Sequence, residues 1–122
     1  MILDLHHVQL AMPKGGEDKA RGFYRDILGL PEREKPLDMQ QNGGCWFEYC
    51  GVRVHLGVEQ DFRPAQKAHP AFSVRGFGQL RRQCETAGFA TRQSNNIDGQ
   101  ARFFVDDPFG NRVEIIDGEN PI

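Results

Sequence analysis

One spacing occurs twice in this chain of 122 residues: Gly29 precedes His55 by 26 residues, and Gly88 precedes Glu114 by 26. The patterning around each pair is also repeated. Residues 3–12 alternate as a strand, with Val8, Leu10 and Met12 on one face and His7, Gln9 and Ala11 on the other. After the break at Pro13-Lys14-Gly15-Gly16, Glu17 and Asp18 put negative charge where a helix start favours it. Ala20, Phe23, Tyr24, Ile27 and Leu28 then recur at helical spacing up to Gly29. A short edge strand over 30–35, a polar loop over 38–44 and a hairpin of 46–49 with 52–58, turning at Cys50-Gly51, complete the half. Residues 59–68 read as a linker. The second half repeats the order: a strand over 69–74, a helix marked by Phe77, Leu80, Cys84 and Ala87, a short strand over 89–92, a polar loop over 94–100, and a closing hairpin of 102–105 with 112–116. Such self-similarity constrains a fold more than any single motif. The expectation is an α+β chain of two tandem βαβββ modules, about 1–58 and 69–118, in one domain. His7 to Gly29 is 22 residues and His69 to Gly88 is 19, so an insertion is expected at 14–16.

The register aligns His7 with His69 and His55 with Glu114. Each of the four lies on the face opposite the aliphatic residues of its strand, which should pack on the helices. The polar faces are therefore expected to line a shared concave surface. Asp107-Pro108-Phe109-Gly110 fits a type I turn. In the strand that follows, Val113 and Ile115 share one face, and Arg112, Glu114 and Ile116 the other. A buried mid-strand carboxylate must be paired or metal-bound. Three imidazoles and one carboxylate converging on a cavity make a donor set for a divalent ion. His55 is read as a fourth ligand, a proton shuttle or a donor that orients another ligand. Arg53 and Arg102 are read either as clamps for an anionic substrate or as solvated strand-end charges. Trp46, Phe47 and Phe104 are pocket walls or core, and His6, pointing the other way from His7, is packing or surface.

Composition narrows the class. With 15 Lys and Arg against 17 Asp and Glu, the formal charge is −2 and acids and bases are mixed, so no nucleic-acid partner is expected. The N-terminus lacks a charged region followed by a sustained apolar run, and no later stretch is long enough to span a bilayer, so neither a signal peptide nor a membrane partner is expected. Cys45, Cys50 and Cys84 are odd in number and lack CxxC spacing. They are expected to be small buried free thiols of a cytoplasmic protein, not nucleophiles.

Four stretches then carry a resemblance: LHHVQL from residue 5, ARGFYRDILGL from residue 20, HPAFSV from residue 69 and DPFGNRVE from residue 107. The chain resembles, over nearly its whole length, the vicinal oxygen chelate superfamily. That group contains glyoxalase I, bleomycin-resistance proteins, fosfomycin-resistance thiol transferases, methylmalonyl-CoA epimerase and extradiol dioxygenases. The resemblance implies a glyoxalase-like fold, in which two βαβββ modules form a cupped mixed sheet around a divalent metal. It implies His7, His69 and Glu114 as metal ligands, the set of the fosfomycin-resistance enzymes. His55 stands where glyoxalase I usually has Glu and the epimerase has Gln. The stretch from His55 to His69 resembles a bacterial glyoxalase-like subgroup.

The expected activity is that of a metal-dependent lyase or isomerase on a small oxygenated substrate. The ion, one of zinc, nickel, iron, cobalt or manganese, would stabilise a developing enediolate, and Glu114 or His55 would move the proton. An extradiol-type dioxygenase, a fosfomycin-type thiol transferase and a non-catalytic binding protein of the bleomycin-resistance type are the alternatives. The resemblance also implies a homodimer, in which either His7 and His55 of one chain join His69 and Glu114 of the other or each site closes within one chain; the linker at 59–68, with Pro64, is compatible with both.

Overall fold

The computed structural model describes residues 1–119 and divides the chain into two compact units, Met1–Pro64 and Ala65–Ile122. The first unit holds β1 (Val8–Met12), α1 (Glu17–Ala20), a π-helical turn (Arg21–Arg25), β2 (Glu32–Arg33), a 3-10 turn (Leu37–Asn42), β3 (Cys45–Tyr49) and β4 (Val52–Val58). The second holds β5 (Ala71–Val74), α2 (Phe77–Thr86), β6 (Thr91–Ile97), β7 (Gln100–Asp106) and β8 (Arg112–Asp117). Each unit is one four-stranded mixed sheet, in the order β1-β4-β3-β2 or β5-β8-β7-β6. In each, the first strand runs parallel to the last and the other neighbours are antiparallel. The expected α+β tandem-module fold is thus the observed one, and the repeat holds at the level of register.

The aliphatic faces pack as their alternation requires. In the first unit Leu10, Met12, Val54 and Leu56 are buried, and the Tyr24 ring from the helical segment lies 5.8 Å from that of Phe47 on β3. Phe47 is fully buried in this core, which removes it as a pocket wall. In the second, Phe103, Val105, Val113 and Ile115 are buried, and Phe77 at the start of α2 meets Phe103 at 5.1 Å. Burying side chains of this size contributes roughly 1.5–3 kcal/mol each. Gly29 and Gly88 both take the left-handed backbone that ends a helix, with φ of 77° and 92°.

Five local expectations change. The first strand begins at Val8, not at residue 3. Val8 pairs with Val54, and β4 begins only two residues earlier, beyond the Cys50-Gly51 turn, so residues 1–5 have no strand to run beside. The first helix is not regular: Asp26 N–H donates to Arg21 C=O and Leu28 N–H to Phe23 C=O, each five residues back. That wide turn absorbs one of the three extra residues of the first half; Glu17 lies 10 residues after His7, whereas Phe77 lies 8 after His69. The 38–44 stretch contains a 3-10 turn. The supposed polar loop over 94–100 is the tip of the β6–β7 hairpin. Asp98 and Gly99, at φ 49° and 78°, form the turn with Ile97 facing Gln100. Cys50 is exposed in its turn while Cys45 and Cys84 are buried, and all three are free. Among the described residues no helix is long and apolar enough to cross a membrane.

Candidate functional site

In the second unit, the closing turn sets the site. Gly110 N–H donates to Asp107 C=O at 3.0 Å, the type I bond the sequence predicts. Asp107 Oδ1 accepts from the backbone N–H of Phe109 and Asn111, and Asn111 Nδ2 donates to Asp107 Oδ2. Asn111 Oδ1 in turn accepts from Ala65 N–H, and Arg112 N–H donates to Ala65 C=O. The turn thereby clips residue 65 beside β8, and Glu114 N–H donates to Pro70 C=O, starting the parallel ladder. This places His69 next to Glu114: Nε2 lies 2.9 Å from Oε1.

Glu114 is 4% exposed, and its other oxygen accepts from Arg102 Nη1 at 3.3 Å. The buried carboxylate is therefore paired within its own unit, so burial alone does not require a metal. The imidazole adds a sharper constraint. His69 Nδ1 is 2.8 Å from Lys67 C=O. A carbonyl only accepts, so Nδ1 carries the hydrogen and a neutral ring turns the Nε2 lone pair toward the carboxylate. Two acceptors 2.9 Å apart need a cation, either a proton or a metal ion. An N···O separation of 2.9 Å is also that of two ligands set about 90° apart around an ion with bonds of about 2.1 Å. The donor chemistry fits a borderline divalent metal. Phe104, the cross-strand neighbour of Glu114, puts its ring edge-on to His69 at 5.4 Å.

The first unit carries the equivalent row. Trp46 on β3 faces His55 on β4, which faces Gln9 on β1. His55 is sandwiched, 4.0 Å from the Trp46 ring at 5° and 4.2 Å from His7 at 18°. His7 stands just before β1, as His69 stands before β5, and its Nδ1 lies 3.0 Å from that of His6. Burial, followed by the charges of His7, His6 and Arg33, pushes the His55 pKa down to about 4, so the ring is neutral near pH 7. Arg53 is engaged by Glu48 at 3.4 Å and by the His6 carbonyl at 3.2 Å. Arg102, by contrast, touches Glu114 directly. Among the described residues no group of three or more His, Cys, Asp or Glu side chains gathers around one point; the donors come as the pairs His7–His55 and His69–Glu114.

Sequence reasoning missed Arg112, whose guanidinium lies 5.1 Å from the Phe104 ring centre, matching Arg102 at 5.3 Å. Its signal was available: Arg112 shares a strand face with Glu114, two residues on. The Lys67 carbonyl has no signature in the side-chain pattern.

The depressed His55 pKa has a measurable consequence for the metal-free protein. The unfolded ring takes up its proton near pH 6.5 and the folded one only near pH 4. The unfolded state therefore binds more protons between these values, and stability is full above about pH 6.5 and falls toward pH 4. The loss is on the order of 3 kcal/mol. His55→Phe keeps a stacked ring and should lack this component in urea unfolding across that window. Superimposable pH profiles for the two proteins would contradict it.

The fold agrees with comparisons against known proteins. The model of the Glyoxalase/Bleomycin resistance protein/Dioxygenase superfamily matches residues 5–115, and the chain belongs to that superfamily. Among solved structures it is similar to a glyoxalase family protein from Bacillus anthracis, at 39% identity and a TM-score of 0.90, with 96% of each chain covered. A glyoxalase/dioxygenase from Nostoc punctiforme, at 21% identity and TM-score 0.76, covers 93% of this chain and 90% of its own. The fosfomycin resistance protein FosX from Listeria monocytogenes, at 16% identity and TM-score 0.77, covers 97% and 95%. These last two share the fold. No curated protein matches the chain.

Proposed function

We propose that this protein is a divalent-metal-dependent enzyme of the lyase or isomerase type, acting on a small oxygenated substrate. His7, His69 and Glu114 hold one ion, and His55 stands as a further donor or as the group that orients His7. The pairs His7–His55 and His69–Glu114 are halves of that site, joined within one chain or across a homodimer. The observation that carries the reading is the hydrogen bond from His69 Nδ1 to the Lys67 carbonyl, which leaves Nε2 as a lone-pair donor beside Glu114 Oε1. Zinc, nickel, iron, cobalt and manganese all suit this donor set.

When bound, the ion acts as a Lewis acid on substrate oxygens and stabilises negative charge developing there. The chain's own groups do the rest. Arg102 fixes Glu114 through Oε2, leaving Oε1 for the ion or for a proton. Glu114 Oε1 is the carboxylate atom that takes a proton from carbon next to a carbonyl and returns it. The neutral His55 ring is the alternative base. Trp46 and Phe104 flank the two halves and limit water.

The test is proton exchange in heavy water, using untagged protein loaded separately with each of the five metals. The substrates are methylglyoxal with glutathione, and dihydroxyacetone. Metal-dependent loss of the proton signal next to the carbonyl is expected. Oxygen uptake with catechols on the anaerobically loaded iron protein, without such exchange, would replace this reading by a dioxygenase. Failure to bind any of the metals would replace it by a metabolite- or drug-binding protein.

A further inference from the structure

His7 is a proposed ligand that no strand holds: it stands just before β1, which begins at Val8. Two rows of side chains on the polar face of the first sheet end on it and on its neighbour. One row is of rings. The Arg33 guanidinium lies 5.9 Å from the Trp46 ring centre, Trp46 stacks on His55, and His55 stacks on His7. The other row is ionic. Glu48, two residues along β3 from Trp46, accepts from Arg33 at 3.0 Å and pairs across the strands with Arg53 at 3.4 Å. Arg53 Nη1 then donates to the His6 carbonyl at 3.2 Å. Both rows start from Arg33 on β2 and cross β3 and β4. The alternation expected to turn His6 away from His7 does not hold, because neither residue lies in a strand. Their Nδ1 atoms face each other at 3.0 Å, and the rings meet edge to face at 83°.

Stacking on His55 fixes the plane of the His7 ring but not which of its nitrogens carries the hydrogen. His6 acts on that second choice. Two imidazole Nδ1 atoms at hydrogen-bond distance share one hydrogen, and a neutral ring that donates it keeps the lone pair on its own Nε2. If His7 donates, its Nε2 is free as a ligand. If His7 accepts, its neutral ring carries hydrogen on Nε2 and binds no ion there. The second half of the chain has the first arrangement, with His69 Nδ1 engaged by the Lys67 carbonyl two residues before it. A hydrogen bond between exposed side chains contributes only about 1 kcal/mol, because water competes for both ends. Arg53 gives this one its weight: it holds the backbone of residue 6, and with it the distance between the two rings.

We propose that His6 is a positioning residue: its Nδ1 accepts from His7 Nδ1–H, which leaves the Nε2 lone pair of His7 for the ion, and Arg53 anchors His6 for that task. This rests on the metal-enzyme reading for the direction of the hydrogen bond. The two halves of the repeat then reach one chemistry by different means, a side chain before His7 and a backbone carbonyl before His69. Arg53, with Nε and Nη1 engaged inside its own unit, is a brace and not a clamp for substrate. A ring N–H polarised by a bound ion donates more strongly, so ion binding and the His6 contact strengthen each other.

The experiment uses the full untagged chain, labelled with nitrogen-15, at about pH 8.5, where an ordinary imidazole is neutral. Long-range proton–nitrogen correlation spectra of the metal-free protein read which nitrogen of each ring carries hydrogen. His7 is expected in the Nδ1–H form and His6 in the Nε2–H form. Isothermal titration with Co(II) then reads affinity. His6→Phe keeps the edge-to-face ring but removes the acceptor. It should weaken Co(II) binding about tenfold or more and move His7 toward the Nε2–H form. His6→Asn sets an amide oxygen close to the place of Nδ1 and should restore both. Both variants change an exposed side chain, so folding is not at stake. A packing role for His6 would give the reverse order, with phenylalanine tolerated and asparagine not. The proposal is overturned by a metal-free wild type with His7 in the Nε2–H form, by His6→Phe binding Co(II) as the wild type does, or by His6→Asn doing no better than His6→Phe. Co(II) bound with no dependence on His6 leaves the metal site and removes the positioning role. The expected tautomers in a wild type that takes up none of the five metals remove the metal site and leave the His6–His7 pairing.

Discussion

Glu114→Gln is expected to weaken divalent-ion binding about a hundredfold or more while leaving the chain folded. The substitution is informative because both neighbours accept it. The amide oxygen still accepts from Arg102 Nη1, and the amide N–H₂ donates to the His69 Nε2 lone pair that now faces Oε1. No cation is then needed between them, so the metal-free variant should be at least as stable as the wild type. Glu114→Ala, by contrast, leaves Arg102, 22% exposed, without its carboxylate and should cost stability as well as metal. Isothermal titration with Co(II) and urea unfolding of the metal-free proteins read the two effects separately. A glutamine variant that binds metal as the wild type does would remove Glu114 from the site.

Gly44→Ala should be the most damaging single change to the fold, at least about 3 kcal/mol. Gly44 has φ of 80°, and its N–H donates to Glu17 Oε2 at 2.8 Å, tying the start of α1 to the entry of β3. A Cβ here would lie 2.1 Å from the Leu56 carbonyl oxygen. That atom is β4 backbone, so it cannot swing aside; β3 and β4 would have to separate where Cys45 pairs with Leu56, one residue from His55. Gly51→Ala supplies the control. Its φ of 84° is equally left-handed, but nothing lies within 4 Å of the added carbon. It should cost only the backbone term, about 1–2 kcal/mol. Equal urea midpoints for the two variants would refute the steric argument.

The repeat was legible because it is written in residues that must alternate. Val54 with Leu56, and Val113 with Ile115, mark the buried faces, so His55 and Glu114 fall opposite them without further information. Gly29 and Gly88 mark helix ends because few other residues take that backbone. Strand length was harder to read, since it depends on the partner. Residues 3–5 alternate like a strand, but β4 begins only at Val52, so no strand runs beside them. The β6–β7 hairpin was hidden by the polarity of Ser94, Asn95 and Asn96, and its Asp98-Gly99 turn signal was outweighed. In the site, residue types pointed to His69 and Glu114. The hydrogen bond that sets the His69 tautomer comes from a backbone carbonyl, which no side-chain pattern encodes. Arg112 was passed over because a strand-end arginine is ordinarily solvated, whereas here its Nε is buried.

The central claim is that His7, His69 and Glu114 serve one ion. A Co(II) titration of the untagged protein, followed by optical absorption and repeated on His7→Ala, His69→Ala and Glu114→Gln, tests it most directly. The account predicts one ion per chain, with all three substitutions abolishing the same spectral band. Two independent ions per chain, one lost only with His7→Ala and the other only with Glu114→Gln, would contradict it.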